Sequence, residues 1–330
     1  MELFLNPDIA ASVLQMCMAE TAAPLALVVL TNKQLRSYGA SDALWARLVD
    51  AHFGPARPYA PLVAFPVLPA LCRHPKWEMD AEVPSVSALC KEFIETTMER
   101  SLFQAMSVVR GNIGTITNLD GTPIDCFVFP TNPSLRNHGI GAAAAIFERA
   151  GIELDLLVST REYTRNRHYD TAEVVVTPGF NSGANHLIHC IGPYWRMPNA
   201  ASRLYLTYVH AFQEAIRLDA RCVVVASIST GSLGFPVPEA SRIAMAAYRD
   251  VVKAYRWRAK VGFICYEETI FDAFHAAREA TLHRFNDGCL EVEPRTEPFG
   301  TRNRVLHSDD EEDEEEPAAH DEGQRDNDAA

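Results

Sequence analysis

Two glycine-bearing segments carry the residue types that hold an anion. In PTNPSLRNHGIGAAAAIFERAG (130–151), Gly139 and Gly141 lead into the small-residue run AAAAIF. That order lets backbone N–H groups and a helix N-terminus approach a negative group closely. In STGSLGFPVPEA (229–240), Gly231 and Gly234 alternate with the hydroxyls of Ser229, Thr230 and Ser232, and Pro236 and Pro238 set the start of a following helix. One glycine turn before a helix is also how tight packing looks. Two phosphate cradles in one domain suit a diphosphate.

Other groups offer less chemistry. His186 and His189 have metal-like spacing, but a strand sends residues three apart to opposite faces, so they do not share an ion. Cys126, Cys190 and Cys222 lie in apolar runs, where an inert buried thiol is the default. Ser229 and His138 have the types of a nucleophile and its base, with no acidic residue placed to orient the histidine. Neither a cofactor nor a metal is called for.

The elements that must position these loops are legible as apolar runs alternating with amphipathic stretches. Strands are expected at 105–109 (AMSVV), 124–129 (IDCFVF), 173–177 (EVVVT), 186–191 (HLIHCI), 222–228 (CVVVASI) and 261–266 (VGFICY). Leu204, Tyr208, Ala211, Ala215 and Leu218 mark one helix, and Ala240, Ile243, Ala247 and Val251 another. Fully apolar strands between helices mean a sheet covered on both faces, hence an α/β domain. Upstream, 1–55 is helical in pattern, with Ser41 and Asp42 as cap residues before the row Leu44, Trp45 and Leu48. The prolines at 55, 58, 61, 66, 69, 75 and 84 make 56–104 a connector that ends in a helix from Ser85 to Phe103.

The ordered set VVRGNI, FPTN, the glycine loop into AAIFERAG, LIHCIGP and ISTGSLGFP resembles the macrodomain family over about 105–280. The resemblance implies a three-layer α/β/α sandwich with a mixed sheet, at 105–290, that binds ADP-ribose. Asn132 matches the amide that contacts the distal ribose, a task suited to a group that donates and accepts. Gly139 and Gly141 match one diphosphate loop; Ser229, Thr230, Gly231, Ser232 and Gly234 match the other. Asn112, followed by Ile113, stands where the family has an adenine-reading Asp, so a neutral bond replaces a charge-assisted one. Leu233 stands at the aromatic that packs on the distal ribose, with Phe235 close behind. Ala143 replaces an acid of one hydrolytic branch; another branch has an Ala there and a histidine before the glycines, as His138 is here. Were the chain a hydrolase, Asn132 and His138 would be its catalytic pair, acting through an electrostatically assisted departure.

Residues 6–48, NPDIAASVLQMCMAETAAPLALVVLTNKQLRSYGASDALWARL, resemble an F-box, a small all-α module. That implies a Skp adaptor and a cullin complex as partners through 1–55. A helical cap on the α/β domain accounts for the same pattern.

Bulk properties bound the remaining classes. Between Ser308 and Ala330, twelve acidic residues against the single Arg325 carry −11 of the formal −13, leaving a near-neutral body. Such a body lacks the basic footprint for direct nucleic-acid or membrane binding. The cluster Arg256, Trp257, Arg258 and Lys260 reads as a solvated helix end. Residues 291–330 read as an acidic disordered tail with Ser308 as a kinase-site candidate. The eight cysteines show no CxxC pair and the amino terminus no cationic leader, so a cytoplasmic or nuclear setting is expected. The resulting expectation is a reader of ADP-ribose on proteins that recruits a ligase. A mono-ADP-ribosyl hydrolase and a degenerate interaction scaffold are the other readings.

Overall fold

The computed structural model describes residues 39–57, 87–136, 139–164 and 168–288. His138, residues 1–38, the proline-dense stretch 58–86 and the acidic tail lie outside the described residues.

The chain runs α1 (Asp42–Phe53), α2 (Ala88–Gln104), β1 (Ser107–Arg110), a short hairpin β2 (Asn118–Leu119) and β3 (Thr122–Pro123), then β4 (Cys126–Thr131). There follow α3 (Gly141–Ala150), α4 (Ile152–Val158), α5 (Arg161–Thr164), β5 (Val174–Pro178) and β6 (His186–Ile191). The described chain continues through α6 (Ala200–Arg217), β7 (Cys222–Ala226), α7 (Val237–Tyr255), β8 (Lys260–Cys265) and α8 (Glu268–His283).

The strands line up as β1-β8-β7-β4-β6-β5 in a six-stranded sheet. Neighbours are parallel except β5, which runs antiparallel to β6 with Val175 opposite His189. All-apolar central strands such as CVVVA in β7 demand cover on both faces, and both faces have it. On one face, Phe127, Phe129, Leu187 and Val224 pack with Ile146 and Phe147 of α3 and Leu154 of α4. On the other, Val128, Val223 and Phe263 pack with Tyr208 and Phe212 of α6, Tyr248 of α7 and Phe274 of α8. The three-layer mixed-sheet sandwich expected for 105–290 is therefore present across its described residues.

The second layer reaches further toward the amino terminus than that boundary. Leu44, Trp45 and Leu48 of α1 and Phe93 of α2 are buried in the same apolar cluster as α6 and α7. Trp45 packs on Phe93 with ring centroids 5.4 Å apart, and Phe103 on Tyr248 at 5.5 Å. The F-box-like reading of 1–55 is not supported by these contacts, which serve as a cap on the α/β body.

The helix end at Arg256 also departs from expectation. Arg256 takes a left-handed backbone (φ 49°) and is buried, pairing with Glu95 at 3.3 Å and Glu99 at 3.4 Å on α2. Trp257 is buried against Phe212 and Tyr248, so Arg258 alone of these three is exposed. Lys260 reaches the carbonyl of Asp120 at 3.2 Å.

Candidate functional site

In a largely parallel sheet the loops leaving the C-terminal strand ends share one edge, and that is where ligands bind. Here β1 leads into 111–116, β4 into 132–140, β6 into 192–199, β7 into 227–236, and β8 into Tyr266. All the expected ligand-binding residues that are described sit on this edge.

The loop after β7 is built around a strained residue. Ser229 has φ 65° although it is not glycine, and it is only 3% exposed. Such conformations cost about 1–3 kcal/mol and persist where the surroundings impose them. Its carbonyl accepts from the Phe235 N–H at 3.0 Å, closing the loop, while Gly234 N–H donates to the Gly231 carbonyl at 2.8 Å. Phe235 anchors the far side, buried edge-on to Trp195 at 4.6 Å, and Trp195 N–H donates to the Leu233 carbonyl at 3.1 Å. Thr230 donates its hydroxyl to Ser227 at 2.8 Å. The Ser229 Oγ, by contrast, is buried with no hydrogen-bond partner among the described residues. A Cβ on Gly192 would lie 2.3 Å from that oxygen and 2.7 Å from Ile228 Cγ2, so the β6 end needs a glycine there.

β4 is the immediate neighbour of β7, and its loop is preorganised too. Asn132 organises it: Oδ1 accepts from Ser134 N–H at 2.9 Å, Ser134 hydroxyl at 2.7 Å and Arg136 N–H at 3.2 Å, and Nδ2 donates to the Arg136 carbonyl. Leu135, left-handed at φ 57°, plunges into the core beneath it. The side chain expected to meet a ribose thus also shapes its own loop. The hydroxyl of Thr131, one residue earlier, is buried without a partner among the described residues. Sequence reasoning did not single out Thr131; its signal is a hydroxyl at the last position of an otherwise apolar strand.

α3 begins at Gly141 with no side-chain cap among the described residues, and the N–H groups of its first turn, as in any α-helix, have no intrahelical acceptor. Gly139 (φ 73°) and Gly141 (φ 65°) adopt the left-handed backbone that makes the turn possible, and an added Cβ at either would point into open space. Between them Ile140 is 65% exposed at the lip. Ala143 is half-buried in the first turn and brings no ionisable group.

The opposite end of the edge is formed by the 111–116 loop. Asn112 is exposed and its Oδ1 accepts from Gly114 N–H at 2.8 Å; Ile113 behind it is buried. Arg149 of α3 donates to the carbonyls of Ile113, at 3.3 Å, and Ile116, and lies 4.8 Å over the Phe127 ring. Gly111 N–H donates to the Cys265 carbonyl at 3.0 Å, which brings Tyr266 beside this loop. Tyr266 is 73% exposed, an aromatic face at the edge that sequence reasoning absorbed into the end of a strand.

His189 takes no part in this edge. It is fully buried on β6, with Nε2 3.0 Å from Thr177 Oγ1, and burial lowers its pKa from 6.5 to about 3. His186, three residues back, is on the other face and half-buried, and no group of three or more His, Cys, Asp or Glu among the described residues is placed to hold a metal. Burial likewise raises the thiols of Cys126 and Cys190 well above the ordinary cysteine value, and that of Cys222 to about 11, as expected for inert core cysteines. No helix among the described residues is long and apolar enough to cross a membrane.

Comparison with known proteins agrees with the geometry. The Macro domain family model matches residues 128–244. A macro domain-containing protein of Xanthomonas campestris pv. campestris is 30% identical over 167 residues, covering 50% of this chain and 91% of that protein. An Escherichia fergusonii protein named O-acetyl-ADP-ribose deacetylase is 31% identical over 158 residues, covering 47% of this chain and 86% of its own. Among solved structures, an Oceanobacillus iheyensis macrodomain with ADP is 24% identical, with a TM-score of 0.49 over 53% of this chain and 90% of that one. With a 30% identical relative matched over nine-tenths of its length, on a sheet whose strand ends carry both glycine loops, the chain belongs to the Macro domain family.

Proposed function

We propose that this chain binds ADP-ribose, free or attached to a protein, along the C-terminal edge of its sheet. The observation that carries the reading is Ser229: a strained, buried residue whose hydroxyl has no partner among the described residues, at the head of a glycine loop and one strand from the start of α3. Buried polar groups without partners are rare and mark places where a ligand or water completes the set. The diphosphate takes the backbone N–H groups of 230–233 and of the first turn of α3, which supply positive potential without a side-chain cation. Asn132 and Leu233 border the distal ribose. Tyr266 gives the base a face to stack on, which offsets the loss of a carboxylate at Asn112.

Calorimetric titration of the full chain with ADP-ribose tests this. Saturable binding that weakens at least tenfold in Ser229→Val supports it; no heat with a folded protein sinks it. Hydrolysis is the second reading, favoured by the Escherichia relative's name, with Asn132 and His138 as its residues. Release of ADP-ribose or acetate from a modified substrate, lost in Asn132→Ala, would establish it. Ligase recruitment through 1–55 requires a surface other than Leu44, Trp45 and Leu48, which the core buries. Capture of a purified Skp adaptor by the full chain is its test.

A further inference from the structure

The base end of the edge has a donor where a reader of a 6-amino group needs an acceptor. Asn112 is exposed in the loop after β1, and the Gly111 N–H bond to the Cys265 carbonyl sets this loop at the end of β8, where Tyr266 is exposed. An exposed ring and an exposed amide on neighbouring strand ends are the residue types that meet the face and the edge of a nucleobase. The orientation of that amide is set by its neighbours. A backbone N–H can only donate, so the Asn112 atom 2.8 Å from Gly114 N is the oxygen, and the Nδ2 group is the one left to meet the base.

The loop has little freedom to reverse this. Turning the amide over would leave Gly114 N–H facing a second donor. Gly114 itself is held against α3, since a Cβ there would stand 2.9 Å from Ala145 Cβ. Arg149 fixes the other side through the carbonyls of Ile113 and Ile116. Where a carboxylate in this position would spend one oxygen on Gly114 and keep the second as an acceptor, asparagine presents two N–H donors. Adenine answers with its own exocyclic amine, donor against donor. Hypoxanthine and guanine answer with a carbonyl.

We infer that Asn112 selects the 6-position of the bound purine for an acceptor, so that the preferred ligand class at this site is a 6-oxopurine nucleoside diphosphate ribose. This rests on the reading of the sheet edge as a nucleoside-diphosphate-ribose site. Adenine forms still bind through the diphosphate, the ribose and the Tyr266 face; they forgo the edge contact.

The experiment titrates the full chain with ADP-ribose and with inosine diphosphate ribose, and repeats both on Asn112→Asp, a replacement of equal shape at an exposed position. The expected result is tighter binding of the hypoxanthine form by about tenfold or more, the scale of one matched base-edge contact. The ratio of the two affinities shifts toward ADP-ribose by a similar factor in the Asp variant, whose free oxygen accepts from the amine. Equal or tighter binding of ADP-ribose by the native chain overturns the inference, showing that Oδ1 serves Gly114 and the base together, and leaves the site reading intact. Binding of neither ligand overturns the site reading and the inference with it.

Discussion

Two buried residues make the chemistry of single positions measurable. His189 is neutral in the fold because burial holds its pKa near 3, and it lies 4.6 Å from the Phe129 ring and 6.0 Å from that of Phe147. An unfolded chain protonates the same imidazole near its ordinary value of 6.5. The stabilisation from keeping it neutral is complete above pH 6.5 and is lost as pH falls from there toward 3, at up to about 1.4 kcal/mol per pH unit. Denaturation midpoints between pH 7.5 and 4.5 should fall more steeply for the native chain than for His189→Phe; parallel curves would show that another group drives the acid limb. Gly192 is the second case. Its replacement by Ala forces a methyl to within 2.3 Å of Ser229 Oγ, and the expected outcome is at least a tenfold loss of ADP-ribose affinity with the fold retained. Adding Ser229→Gly does not relieve it, because the methyl also meets Ile228 Cγ2 at 2.7 Å and the hydroxyl removed is the one proposed to meet the ligand, so the double variant should bind no better than Gly192→Ala alone. Native affinity in Gly192→Ala would count against a loop seated by this contact.

Among elements, α1 sets the clearest test, because its apolar row packs within the α/β core. Trp45 is fully buried beside Phe93, and Trp→Ala in such a site costs about 3–5 kcal/mol. If α1 were an independent module, Trp45→Ala would leave the sandwich's melting unchanged; the shared core instead predicts one cooperative transition displaced as a whole. Melting followed by far-ultraviolet dichroism and by ligand-binding capacity should shift together. This element also shows where the sequence was legible. Apolar runs placed the six main strands, and period-3.6 rows α6 and α7, to within a few residues, and HLIHCI coincides with β6. The glycine loops were visible because a left-handed turn leaves few alternatives to glycine at 139 and 141. What escaped was decided by tertiary contact. Whether Leu44, Trp45 and Leu48 face an adaptor or a neighbouring helix depends on α2 and α8, and a burial pattern along α1 reads the same either way. Tyr266 looked like the last residue of an apolar strand until the register of β8 ended at Cys265. The orientation of the Asn112 amide is a property of the Gly114 N–H, which no residue type announces.

At the scale of the whole molecule, one carboxylate holds the beginning and the end of the described fold together. Asp287 is fully buried, with Oδ1 3.1 Å from Arg57 Nε, Oδ2 2.7 Å from Arg57 Nη2, and Oδ2 2.6 Å from Arg284 Nη2. Backbone bonds reinforce it: Asn286 N–H donates to the Phe53 carbonyl at 2.7 Å, and Arg249 of α7 donates to the Asp287 carbonyl at 2.9 Å. The segment after α1 is thereby fastened to the segment after α8 and to the middle of the sandwich. Removing one member of a buried, hydrogen-bonded ion pair usually costs about 3–5 kcal/mol, because the survivor stays desolvated. Both Arg57 and Arg284 keep about two-fifths of their side chains in solvent, which places Asp287→Ala near the lower end, about 3 kcal/mol. The location of the damage discriminates more sharply than its size. A clasp predicts that amide-exchange protection falls together in α1 and in the last turns of α8, elements separated by most of the chain, while β4, β6 and β7 at the sheet centre keep theirs. A double-mutant cycle with Arg57→Ala should show coupling above about 1 kcal/mol, since the two residues share the contact being removed. Additive losses, or protection lost in α8 with α1 unchanged, would mean that the apolar face of α1 alone seats it on the sandwich.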